Sequence, residues 1–122
     1  MANILPSTVK DPRAREINDQ LLTGILAEQV MGWTIGPKRF SFGRRGWMPR
    51  WRFQPTRNIA DAFQLLANAD VVEYVLHADG KSIYQVKVRT PSASGEATGS
   101  SLPYVICLAV AHAYGIQVGA SE

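Results

Sequence analysis

The sequence predicts an α+β fold, in which a small antiparallel sheet packs with about three α-helices in a sandwich-like arrangement. Three features predict it. Apolar residues recur at helical spacing in two long stretches near the ends of the chain and in a shorter one after Asn58. Two β-branched and aromatic runs, VVEYVLH and SIYQVKV, flank Ala78-Asp79-Gly80-Lys81. The order of these pieces segregates helices from strands, as in domains whose helices cover an antiparallel sheet.

Residues 1–10 have no periodicity and read as a leader. Asp11-Pro12 then offers an N-cap followed by proline at the first helical position, where a missing N–H costs nothing. Ile17, Leu21, Leu22, Ile25, Leu26 and Val30 give the first helix one apolar face. Gly24 should weaken it by roughly 1 kcal/mol relative to alanine. Met31-Gly32 should end it, because glycine accepts the left-handed conformation found past helix ends.

The stretch WTIGPKRFSFGRRGWMPRWRFQPTR (33–57) is too rich in glycine and proline to be helical. Its alternating pieces Arg39–Phe42 and Arg50–Phe53 suggest a ragged hairpin or two edge strands. Asn58, with Asp61 three residues on, should cap a second helix with a stripe of Ile59, Ala62, Phe63 and Leu66. Asp79-Gly80 supplies the positive φ angles of a hairpin turn. Val72, Tyr74 and Leu76 should share one face of its first strand, and Tyr84, Val86 and Val88 one face of its second. A short third strand fits Ser94–Thr98. Ser101 and Pro103 open a last helix, apolar almost all round and closed by Gly115. The chain thus reads as one domain, 11–118, with a basic aromatic insert at 37–57 and a tail at 119–122.

The 122 residues suffice for a core without disulfides or metal. Cys107 is the single cysteine, so neither an internal disulfide nor a cysteine-based zinc cage is available. No apolar run approaches the length of a membrane span, and the N-terminus lacks a signal-peptide core. A cytoplasmic setting with no membrane partner is the expectation.

The fragments LAEQVMGW (26–33), FQPTRNIADAFQLL (53–66) and TGSSLPYVICLAVAHA (98–113) resemble the phage ABA sandwich domain family. The similarity runs from about Ile17 to Tyr114. Its specific parts are the MGW and ICLA boxes, and its main departure is the arginine-rich insert. The resemblance implies an α+β sandwich and a phage or prophage origin, and leaves the activity open.

Catalysis needs convergent groups, and the sequence offers none. His77 and His112 are the only histidines, and Cys107 lies five residues from the latter, where helical side chains diverge. Cys107 reads as a small buried apolar residue and His112 as a surface or satisfied residue. No metal-ligand spacing occurs, no cofactor is implied, and a non-enzymatic protein is expected. SASGEATGSS lacks a phosphate-loop lysine, and the glycines of Gly36–Gly46 mark turns.

Charge singles out the insert. Residues 37–57 hold seven basic side chains (Lys38, Arg39, Arg44, Arg45, Arg50, Arg52, Arg57) and no acidic one. The other 101 residues hold six basic and ten acidic side chains, net −4. Trp47 and Trp51, with Phe40, Phe42 and Phe53, interleave with the arginines. Guanidinium forks alternating with aromatic faces suit nucleic acid or a nucleotide-type anion. Lys38, Arg39, Arg44, Arg45, Trp47, Arg50, Trp51, Arg52 and Arg57 are therefore the candidate ligand-binding residues. Trp33 is assigned to the core. Two alternatives stand beside this reading. The aromatics can pack inward while the arginines pair with the acidic body, and the same residue types suit a host or phage protein partner or a homo-oligomer interface.

Overall fold

A computed structural model describes residues 12–116 of the chain, with side chains from Asp19 onward. The leader, Asp11 and the tail lie outside the described residues. Among the described residues the first helix, α1, spans Pro12–Gln29. Past its end Gly32 takes φ +75°, the left-handed conformation expected of it. Three strands follow, β1 (Thr34–Ile35), β2 (Arg39–Ser41) and β3 (Trp47–Pro49), separated from α2 (Ile59–Asn68) by a 3-10 turn at Arg50–Arg52. The chain closes with β4 (Glu73–Ala78), β5 (Tyr84–Arg89), β6 (Ser94–Gly99) and α3 (Leu102–Ala113).

The strands form two antiparallel three-stranded sheets, β1-β2-β3 and β4-β5-β6, where the sequence suggested one sheet. The insert builds its own sheet because Gly43 (φ +73°) and Gly46 (φ +112°) turn the chain early. The turn closes with the Phe42 N–H donating to the Gly46 carbonyl at 2.8 Å, which sets Phe40 opposite Met48. The expected partner strand at Arg50–Phe53 is therefore a 3-10 turn instead, entered from extended backbone at Pro49. β1 had no alternating signal, being only two residues long.

The caps follow the sequence more closely. The Asn58 side chain accepts from the Asp61 N–H at 2.9 Å, and the Asp61 carboxylate accepts from the Gln54 N–H at 2.9 Å. At the end of α3 the Gly115 N–H bonds the His112 carbonyl and the Ile116 N–H the Ala111 carbonyl, closing the helix with Gly115 at φ +74°. Ser101 occupies the N-cap of α3 without a side-chain capping bond, contrary to expectation. The β4–β5 loop runs over Asp79–Ile83, longer than a two-residue turn. The Asp79 carboxylate accepts from the Lys81 and Ile83 N–H groups, holding Gly80 and Ser82 at positive φ.

One core joins all three helices to both sheets, through Leu22, Leu26, Phe40, Phe53, Leu65, Val86, Ile106 and Val110. α3 lies on one face of β5 and β6 and packs its flank against α2. Gly95 in β6 meets Ala109 and Ala113, and Gly99 meets Val105, so the helix comes close to the sheet backbone, with Ala97, between the two glycines in sequence, buried. Two apolar stripes are narrower than expected. α1 buries Leu22 and Leu26 beside Asp19, Thr23 and Ala27, while Leu21 stands 61% exposed. α2 buries Ala62, Leu65 and Leu66, with Ile59 and Phe63 at its rim. The apolar faces of both helices are wider than the surface available to cover them.

Candidate functional site

The aromatic residues of the insert divide by exposure. Trp33 packs on Phe40, Phe42 and Phe53 with ring centroids 5.6, 4.8 and 5.0 Å away, and Phe40 and Phe53 are fully buried. This cluster joins the insert to the core, as assigned for Trp33. The three phenylalanines are thus packing residues and not ligand platforms. Trp47 and Trp51 face outward, 55% and 70% exposed.

The cations divide as well. Arg50 is half-buried between α1 and the first sheet. Its guanidinium donates to the Gly36 carbonyl at 3.3 Å and to the Gln20 carbonyl at 3.4 Å, and lies 5.1 Å over the Phe40 ring. Gly24 leaves it room, since a Cβ there would sit 3.2 Å from Arg50 Nη2. Arg39 lies 4.9 Å over Trp47. Arg57 reaches the largely buried carboxylate of Asp19 on α1 at 3.7 Å. Lys38, Arg44, Arg45 and Arg52 are exposed.

Arg50, Trp51 and Arg57 come together. With Asp19, Thr23 and Thr56 they line a cleft of about 320 Å³ between α1 and the insert, edged by Gln20 and Gln54. One wall is cationic, the rim carries an indole, and the floor holds one carboxylate and two buried hydroxyls. The structure thus divides the nine candidate residues among the cleft, an Arg39–Trp47 pair beside it, and solvent. Asp19 and Thr23 escaped sequence reasoning, because a polar residue facing inward on a helix looks like any solvated one until its partner is placed. A second depression, of about 350 Å³, lies on the outer face of β4-β5-β6. Both of its glutamates already bond across the strands, Glu73 with Arg89 and Glu96 with Gln85.

The fold is similar to that in the crystal structure of a phage protein from Bacillus cereus ATCC 14579. The two superpose with a TM-score of 0.65 over 81% of this chain and 89% of that one, at 20% sequence identity. No family model matches the chain, and no curated protein does.

Cys107 and His112 both lie on α3. Cys107 is buried, and burial, with the nearby Asp19 charge as a lesser cause, raises its thiol far above the ordinary range. His112 Nδ1 lies 2.8 Å from the Glu96 carbonyl oxygen, tying α3 to β6. Among the described residues no cluster of His, Cys, Asp and Glu could hold a metal ion, and no helix is long and apolar enough to cross a membrane.

Proposed function

We propose that this is a phage or prophage accessory protein, non-enzymatic, that binds a phosphate-bearing nucleotide or a short run of single-stranded nucleic acid through its Arg/Trp segment. The observation that carries the reading is the meeting of Arg50, Arg57 and the exposed Trp51 in one cleft. The indole offers a face for a base, and Arg57 a fork for phosphate. Asp19, Thr23 and Thr56 can hydrogen-bond sugar hydroxyls or base amino groups. Arg39, Arg44 and Arg45 extend the positive surface along the same segment, where a longer strand would run. The phage origin draws support from the MGW and ICLA motifs and from the likeness in fold to the Bacillus cereus phage protein.

The test is a titration of the protein with labelled oligonucleotides and with a mononucleotide and dinucleotide panel, at several salt concentrations. Trp51→Ala should weaken binding by roughly 5- to 150-fold, the equivalent of ~1–3 kcal/mol for one stacked base. A steep loss of affinity with salt identifies a strand, since each phosphate contact releases counterions. A shallow slope with a clear thermal shift identifies a small nucleotide. Background binding of the whole panel at low salt refutes the reading.

A further inference from the structure

β4 is an edge strand of its sheet. All six of its residues are exposed, and among the described residues no strand pairs with the side away from β5. Natural edge strands are guarded by lysine, proline or bulges. Here Val72–Ala78 reads VEYVLHA, with no lysine, proline or glycine, and Val72, Tyr74, Val75 and Leu76 are open to solvent.

The backbone orientation narrows what can dock. The Asp79 N–H donates to the Ile83 carbonyl at 3.1 Å, so in the β4–β5 register Asp79, His77 and Val75 turn their N–H and C=O groups toward β5. Tyr74, Leu76 and Ala78 therefore present theirs to the free edge. A second copy related by a two-fold axis must pair these outward residues with one another. An axis through Val75 sets Tyr74 opposite the partner's Leu76, both on the helix-bearing face of the sheet. It also sets Glu73 opposite the partner's His77, a carboxylate against an imidazole that can hydrogen-bond it, and Val75 against its own counterpart. Shifting the axis to Leu76 would place Glu73 against the partner's Asp79, which like charges oppose. Shifting it to Tyr74 would face Glu73 with the partner's Val75 and give it no polar neighbour across the axis.

We propose that β4 is a homodimer interface, pairing antiparallel with β4 of a second copy about Val75 to make one continuous six-stranded sheet. The surface is separate from the Arg/Trp cleft, so neither reading depends on the other. The isologous pairing closes on itself and removes the exposed edge in one step.

Sedimentation velocity over a range of concentrations tests the association. The wild-type chain should sediment as a dimer. Val75→Lys should be monomeric at concentrations where the wild type is dimeric, because it sets two lysines face to face at the axis. Residue 75 is 52% exposed within one chain, so that change leaves the monomer's packing intact. The register is tested by cysteine pairing under mild oxidation, with the native Cys107 buried out of reach. Val75→Cys should give a disulfide-linked dimer, since facing residues there lie at bonding distance, whereas His77→Cys should not. A wild-type chain that stays monomeric, or a dimer that survives Val75→Lys, overturns the proposal. A dimer that cross-links through His77→Cys and not through Val75→Cys overturns the register.

Discussion

Gly95 of β6 lies directly beneath Ala109 of α3, so close that a side chain at residue 95 would overlap the Ala109 carbonyl oxygen and the Ala113 amide nitrogen. Both obstacles are helix backbone, which cannot rotate aside as a side chain can. The glycine therefore sets the separation between the last helix and the sheet, and the buried Val86, Val88 and Ala97 beneath α3 depend on that separation.

Gly95→Ala should accordingly destabilise the protein by about 1–3 kcal/mol, the usual cost of forcing extra volume into a packed core. A urea or thermal unfolding curve measures it. Ser94→Ala, one residue away on the exposed face, should change stability by less than about 0.5 kcal/mol. Equal behaviour of the two variants would show that α3 yields without cost.

A second prediction separates arginines that sequence composition cannot tell apart. Arg50→Ala should lower stability by about 1–3 kcal/mol, through the lost bonds to the Gly36 and Gln20 carbonyls and the lost contact with the Phe40 ring. The double change Arg44→Ala/Arg45→Ala should leave the unfolding midpoint nearly unchanged, because both side chains point into solvent. If Arg50→Ala is equally silent, the guanidinium contributes nothing to holding α1 on the insert.

Local rules made much of this fold legible. Asn58 as a cap, Asp79-Gly80 as a turn, and Gly32 and Gly115 as helix stops each act within a few residues. What stayed hidden depends on residues far apart in the chain. Gly24 looked like a cost to α1, and its use appears only when Arg50, 26 positions later, is set against it. Periodicity placed Leu21, Ile59 and Phe63 on apolar stripes, but it does not report how wide a surface covers a helix. The same holds for the candidate site. Counting charge singled out one segment, and it had no means of dividing Arg57, drawn to Asp19, from the solvated Arg44 and Arg45.

The tryptophans can be read separately. In a Trp47→Phe/Trp51→Phe variant the remaining indole, Trp33, packs against three phenylalanines and should resist quenching by acrylamide. Trp33→Phe should give the opposite result, with the two exposed indoles freely quenched. Ready quenching of the Trp33-only variant would contradict the core assignment.

Cys107 should make stability fall with rising pH in the alkaline range. Its thiol is held protonated in the folded chain, chiefly by burial, while in the unfolded chain it ionises near its ordinary value of about 8.5. Below that pH both states carry the proton and the residue contributes no pH dependence. Above it the unfolded state sheds a proton that the folded state retains, so stability falls as pH rises, by up to about 1.4 kcal/mol per pH unit. Unfolding free energies measured between pH 7 and 10 should show this decline, and Cys107→Ala should reduce its slope. The same burial predicts that the native thiol resists alkylation at pH 8 and reacts once denaturant is added. Rapid labelling of the folded protein would mean that α3 opens readily.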